Sequence, residues 1–363
     1  MKLLKSLRKR MTERSFGSGT SSSSSRSGLK PSPALQAALD VVSEKLADNA
    51  KVIGYEFDRL RRSPESEYNP EELSAAAANP SLNRYTNVLP FDRTRVVLTG
   101  APGEYINASL LTNKYGSTPA WSYIATQGPL AGTSPHFWQM ILQQRSTVIV
   151  MLTRVREKQV EKCWQYFPLD LHEQMEFDTG QQIITVTVVA IKHLDSDICM
   201  RELTVRDSSS REGELQVFHY HYHRWPDFGI PSSPLPLRRL AHLLDESDSP
   251  HMGPPVVHCS AGIGRTGTFI AIDATLKRLR HLDAKDIKGA ENAVSMKRLI
   301  SHMRKERIGM VQTVQQYVFI YQAIHDEIQQ AFSSGSNDSE PGQVSVSRSV
   351  SGSLSRASSC SQG

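Results

Sequence analysis

Twelve residues constrain this 363-residue chain more than any others: Val256-Val257-His258-Cys259-Ser260-Ala261-Gly262-Ile263-Gly264-Arg265-Thr266-Gly267. An apolar, strand-like stretch enters them, a glycine-rich turn follows, and a helix-capable run from Thr268 to Leu282 leaves them. A helix N-terminus with convergent backbone N–H groups is an anion site. A thiol placed inside one is driven toward thiolate and becomes a nucleophile. The run therefore specifies a ligand, a phosphate-like oxyanion, and a chemistry, thiolate attack. A nucleotide loop of the Walker type would need Lys followed by Ser or Thr after its last glycine, and Arg265 stands there instead. An inert core cysteine rarely comes with such a loop.

The chain around the loop reads as mixed. Tyr123–Thr126, Thr147–Leu152, Ile183–Val189 and Val217–Tyr222 are rich in β-branched and aromatic residues and are predicted strands. Phe137–Gln143, Leu235–Leu244, Thr268–Leu282 and Val314–Gln330 are predicted helices. This mixture indicates an α/β sheet covered on both faces. Before this core, which runs from about residue 64 to 332, Ser32-Pro33 offers an N-cap and first helical position. Leu35, Ala38, Leu39, Val42 and Leu46 then recur at helical spacing, as do Val52, Ile53, Phe57 and Leu60. Residues 34–63 are thus expected to form helices packed on the core.

The two ends differ in kind. Residues 1–33 form a basic, Ser-rich arm: the first thirty hold eight Lys or Arg and one Glu, a net of +7, which leaves −2 of the chain's +5 for the remainder. A nucleic-acid-binding core is not indicated. Residues 333–363 hold thirteen Ser and no aromatic residue. Both ends are expected to be disordered. For the arm, a solvated tail, a nuclear import signal, an anionic-membrane anchor and a transit peptide are all open. The cysteines Cys163, Cys199, Cys259 and Cys360 form no CxxC pair and no metal-ligand spacing. With no secretory signal and no apolar run long enough to span a bilayer, a reducing cytoplasmic setting, extending to the nucleus, is expected.

His258-Cys259, five residues, Arg265 and Thr266-Gly267 resemble the signature loop of the cysteine-dependent protein tyrosine phosphatases. The resemblance extends in family order from about Asn83 to Gln330, and is nearest to the small non-receptor enzymes of the plant type. It implies a single α/β domain with a highly twisted mixed sheet flanked by helices on both faces. It also implies that Cys259 attacks phosphorus to give a phosphocysteine. Arg265 would grip two phosphoryl oxygens as a fork. The backbone N–H groups of Ser260, Ala261, Gly262, Ile263, Gly264 and Arg265 would hold the equatorial oxygens. His258 would help set the thiolate, and the Thr266 hydroxyl would stabilise it as it leaves.

The same resemblance makes Trp225-Pro226-Asp227-Phe228 a mobile acid loop, with Asp227 acid first and base second. A phenolate leaves poorly at neutral pH, its conjugate acid having a pKa near about 10. A carboxylic acid contributes on the order of 10² to 10⁴ in rate. Gln312 would position the hydrolytic water, with Gln316 assisting. Asn83-Arg84-Tyr85-Thr86-Asn87 resembles the loop that sets phosphotyrosine specificity, Tyr85 forming one wall of the cleft. Asn87, Val88 and Phe228 are further substrate-binding positions. Asn87 stands where the family usually has an acidic residue, and Leu82 where it often has Lys; loss of charge assistance at Asn87 would weaken peptide binding by about a kcal/mol. Glu157 is expected to orient Arg265, Lys158 and Lys162 to meet Asp227 or substrate charge, and Trp225 to support the lid.

No cofactor or metal is implied. Expected partners are tyrosine-phosphorylated proteins, a MAP kinase among them, acted on by a monomer in signalling. A dual-specificity or phosphoinositide phosphatase would have a shallower or more basic loop than Ala261-Gly262-Ile263, and a non-catalytic binding module would lack the nucleophile, acid or arginine. The thiolate is expected to be reversibly oxidisable. Arg348-Ser349-Val350-Ser351 and Arg356-Ala357-Ser358-Ser359 resemble kinase sites in the tail.

Overall fold

The computed structural model describes residues 29–47, 51–63, 69–101, 104–112, 121–209, 213–226, 229–246 and 253–335. Most of the arm, most of the tail with Cys360, and the positions Asp227 and Phe228 lie outside the described residues.

Helix α1 (Pro33–Ala47) begins where the sequence signals it, the Ser32 hydroxyl accepting from Leu35 N at 3.1 Å with Pro33 first in the helix. After α2 (Lys51–Arg61) and a short α3 (Ser74–Ala78) come β1 (Arg95–Val97), β2 (Tyr105–Thr112), β3 (Ser122–Thr126) and α4 (Ser134–Gln143). Then follow β4 (Val148–Met151), the small hairpin β5 (Arg156–Glu157) and β6 (Val160–Glu161), β7 (Gln174–Asp178), β8 (Ile183–His193), β9 (Ile198–Asp207) and β10 (Leu215–Tyr222). The chain continues through α5 (Leu235–Glu246), β11 (Val256–His258), α6 (Gly264–Arg280), α7 (Ile287–Ala293), α8 (Met296–Glu306) and α9 (Val314–Gly335).

Nine strands form one mixed sheet in the order β1-β2-β3-β11-β4-β10-β9-β8-β7. Its four central strands, β3, β11, β4 and β10, run parallel, and antiparallel strands extend it on either side. Parallel strands are covered on both faces and need apolar residues on both. The Val148–Met151 run meets this by alternation. Val148, Val150 and Leu152 join the cluster with α1, α2 and α5 to α9, whereas Ile149 and Met151 face the cluster containing Phe137, Trp138 and Ile141 of α4. Helices thus lie on both faces, most of them on one.

The parallel centre decides where the chemistry sits. Parallel strands end at the same edge, and crevices for ligands form beyond their carboxyl ends. β11 runs into the Cys259 loop, β4 into Leu152-Thr153, β3 into Gln127-Gly128 and β10 into Trp225-Pro226. All four converge on one place. The N-terminal helices are tied to α9 by the half-buried Glu56 carboxylate. It accepts from Lys45 Nζ at 2.5 Å, from Tyr321 OH at 3.0 Å and from Tyr317 OH. Helix α6 starts at Gly264, four residues before its predicted start, because the loop itself turns directly into the helix. Among the described residues no helix is long and apolar enough to cross a membrane.

Candidate active site

The loop between β11 and α6 is shaped by Gly262. Its φ is +71°, and a Cβ there would lie 2.1 Å from the Thr126 carbonyl oxygen, so only glycine fits. With this conformation the Gly262 N–H donates to Cys259 Sγ at 3.3 Å. Cys259 is 5% exposed. Ser260 donates its hydroxyl proton to Lys162 O at 2.9 Å, which leaves its oxygen to accept from Tyr85 OH at 2.8 Å. The Tyr85 wall is thereby fastened to the loop.

Arg265, in the first turn of α6, is held by a fork. NH1 donates to Glu157 Oε1 at 2.5 Å and NH2 to Glu157 Oε2 at 2.9 Å. NH1 also reaches Leu152 O and Thr153 Oγ1, both at 3.2 Å, and NH2 reaches Pro226 O at 3.3 Å. Burial by itself would raise the Glu157 carboxyl, but the Arg265 hydrogen bonds and charge outweigh it and hold the pKa below the ordinary range. Trp225 is buried, and its Nε1 donates to Gly229 O at 3.3 Å, bridging the ends of the segment that carries Asp227 and Phe228. Those two positions lie outside the described residues. Lys158 is exposed at the hairpin turn with φ 46°, while Lys162 is half-buried and serves the loop through its carbonyl.

At the start of α9, Gln316 Oε1 accepts from Gln312 N at 2.9 Å and from Thr313 N at 3.4 Å, and Thr313 Oγ1 accepts from Gln316 N at 3.2 Å. This is a reciprocal helix cap, so the Gln316 carbonyl oxygen is engaged in holding the helix. A Cβ at Gly264 would lie 3.0 Å from Gln316 Nε2 and 3.1 Å from Gln312 Oε1. Both amides therefore crowd the point where the loop becomes α6. Gln312 itself is exposed. The Thr266 hydroxyl is buried and has no hydrogen-bond partner among the described residues. Val88 is buried, its carbonyl taken by Asn107 Nδ2 at 2.8 Å, and Asn87 is exposed.

The family model described as Protein-tyrosine phosphatase matches residues 79–326, more than half of the chain and all of the loop just described. The chain belongs to the protein-tyrosine phosphatase family. It is similar to protein-tyrosine-phosphatase PTP1 of Arabidopsis thaliana, 37% identical over 301 residues that cover 80% of this chain and 84% of that protein. Tyrosine-protein phosphatase non-receptor type 2 of Homo sapiens is 38% identical over 266 residues, 72% of this chain and 59% of that protein. The human receptor-type tyrosine-protein phosphatase alpha is 35% identical over 289 residues, 78% of this chain and 34% of that protein.

In this phosphatase the signature histidine does not touch the sulfur. His258 Nδ1 donates to Cys259 O at 3.2 Å, so its Nε2 accepts from Tyr166 OH at 2.7 Å. The Tyr166 oxygen in turn accepts from His219 Nε2 at 2.9 Å. Burial keeps His258 neutral, its pKa lowered to about 4, and holds His219 well below its ordinary value. Tyr166 and His219 are supports that the sequence reading passes over. Val311, fully buried with φ 59°, is another. A β-branched residue in this region is strained, and it sits immediately before Gln312. Arg304 holds it there, donating to Met310 O at 3.0 Å, Val311 O at 2.9 Å and Leu60 O of α2 at 2.8 Å. The tight sequence cue was Arg307-Ile308-Gly309-Met310, whose Gly309 has φ +70°.

Proposed function

We propose that this protein-tyrosine phosphatase hydrolyses phosphotyrosine in proteins through a phosphocysteine on Cys259. The observation that carries the reading is the Gly262 N–H aimed at Cys259 Sγ at 3.3 Å in a loop whose arginine is already forked to Glu157. An N–H of that kind favours the charged sulfur. In the first step Sγ attacks phosphorus, the S–P bond forms and the phosphorus–phenolic oxygen bond breaks, while Asp227 donates its proton to the leaving oxygen. The Ser260–Arg265 N–H groups and the Arg265 fork hold the equatorial oxygens. In the second, Asp227 takes a proton from a water that Gln312 positions, the water oxygen bonds phosphorus, and the S–P bond breaks with the Thr266 hydroxyl donating to the departing sulfur. Tyr85, Asn87, Val88, Phe228 and Gln316 line the substrate side, and Lys158, Lys162 and Trp225 support the lid.

The depth set by Tyr85 supports phosphotyrosine over phosphoserine or phosphothreonine. A tyrosine-phosphorylated MAP kinase in the cytoplasm or nucleus is the substrate class we assign, met by a monomer, with peroxide oxidation of Cys259 as a brake. The test pairs two variants. Cys259→Ser abolishes turnover of a phosphotyrosyl peptide without added metal, and Asp227→Ala lowers turnover by about 10² to 10⁴ while retaining tyrosine-phosphorylated proteins from an extract. Full activity in Cys259→Ser would sink the mechanism, and equal rates on phosphothreonine peptides would sink the specificity.

A further inference from the structure

Two arginines serve the Cys259 loop, and only one has a counter-charge. Arg265 is matched by Glu157 through two hydrogen bonds. Arg307 is fully buried, and all its acceptors are neutral. Its Nε donates to Gly262 O at 2.9 Å and its NH2 to Ala261 O at 3.0 Å and Asn107 Oδ1 at 2.8 Å, while NH1 donates to Ser109 Oγ at 3.1 Å. No carboxylate pairs with it among the described residues. A guanidinium buried without a counter-charge is costly even where neutral acceptors take its N–H groups, and an anion nearby would stabilise it.

The groups that can balance it are few. Burial pushes the Arg307 guanidinium down, to about 10, and a negative charge on Tyr105 of β2 or on Cys259 would oppose that fall. Burial raises the Tyr105 phenol beyond its ordinary range, so at neutral pH it carries no charge. The remaining candidate is the Cys259 sulfur, or the phosphoryl group bound in front of it. Gly262 shows the two sides of the arrangement in a single residue. Its N–H donates to Cys259 Sγ and its carbonyl accepts from Arg307. Asn107 carries the network onward, its Nδ2 donating to Val88 O at 2.8 Å and Asn83 Oδ1 at 2.9 Å, at either end of the loop that bears Tyr85.

We propose that Arg307 is a positioning residue for the reaction: from behind the loop it turns the Ala261 and Gly262 carbonyls away from Cys259 and supplies the surplus positive charge that holds the sulfur as a thiolate and the phosphoryl dianion in place. This rests on the phosphocysteine reading above. It also gives a task to Asn107 and Ser109 of β2, the two side chains that accept from Arg307.

The test is the pH profile of Cys259 alkylation by iodoacetamide in the full chain, followed on the Cys259 peptide by mass spectrometry. An opposite charge favours the ionised form of its neighbour. Arg307→Met should therefore move the alkylation midpoint up, with less alkylation below it than in the wild-type chain. Arg307→Lys, which keeps the charge and loses the fork, should return the midpoint toward wild type while kcat/KM on a phosphotyrosyl peptide stays reduced. A thermal melt confirms folding, and Arg307→Gln carries the same measurement if the Met variant does not fold. A folded neutral variant with the wild-type alkylation profile would overturn the proposal, as would a Lys variant that titrates like the neutral ones. A wild-type chain inert toward the peptide would instead overturn the functional reading, so the two failures are distinguishable.

Discussion

Arg265 divides its guanidinium between structure and chemistry. One edge is committed to Glu157, and Nε has no acceptor among the described residues. The NH2 contact to Pro226 O, at 3.3 Å, is the weakest of its bonds and the one a phosphoryl oxygen would displace. Since Pro226 precedes Asp227, the proposed acid, phosphate entering the loop should release this contact to the segment that carries it. The orientation depends on Glu157. Glu157→Ala should lower kcat/KM by about 10- to 100-fold, roughly 1.4 to 2.8 kcal/mol of transition-state stabilisation, and should weaken vanadate binding alongside. Unchanged kinetics in a folded Glu157→Ala variant would show that the loop backbone alone orients the arginine.

Helix α9 begins with a reciprocal cap, and that cap is what holds Gln312 beside the loop. Thr313 and Gln316 satisfy one another's end of the helix, and Gln312 contributes its backbone N–H to the same arrangement. Loss of an N-cap hydroxyl costs about 1 kcal/mol. Thr313→Ala should lower the melting temperature by a few degrees, about 2 °C in a chain of this size. On the role proposed for Gln312 in the second step, the same variant should slow breakdown of the phosphocysteine more than its formation. Stopped-flow measurement would then show a larger burst of phenol ahead of the steady state. A variant with no change in burst amplitude would separate the cap from the water-positioning role.

Taken together, the buried titratable groups set how the protein responds to acid. His258 and His221 are pushed down by burial to about 4 and about 3, and His219 falls well below its usual value. A histidine whose folded pKa is depressed gives its full stability above its unfolded value, about 6.5, and loses it as pH falls toward the folded one. Each such group costs on the order of 1 kcal/mol per pH unit in that window. Glu56, Glu157 and Glu327 are held low by their hydrogen bonds and cationic partners against the opposing effect of burial, and their contributions persist until pH falls below the ordinary Glu range. Stability should be level above about pH 7, decline between about 6.5 and 4.5 through the histidines, and fall faster below that through the carboxylates. Denaturant midpoints at pH 7.5 and 5.0 check this, and equal midpoints would mean that the histidines are already charged or already exposed.

The elements legible in the chain were those whose own residues carry the signal. The strand, glycine turn and helix around Cys259, the apolar Val148–Met151 run and the Ser32-Pro33 helix start each depend on neighbours within a few residues, so propensity and periodicity reach them. Strand β9 and helix α8 were not, because Ile198–Asp207 and Met296–Glu306 carry charges that look like surface. Arg201 is buried, its guanidinium lying 5.1 Å from the Phe167 ring, and Arg304 is buried on the carbonyls of Met310, Val311 and Leu60. Arg307 reaches Asn107 and Ser109, about two hundred positions away in the chain. The chemistry-bearing loop was written locally, as a backbone conformation that glycine permits and a helix end that attracts anions. The charges and carbonyls packed behind that loop follow from long-range burial, where a cation is tolerated only because the folded chain brings its acceptors to it.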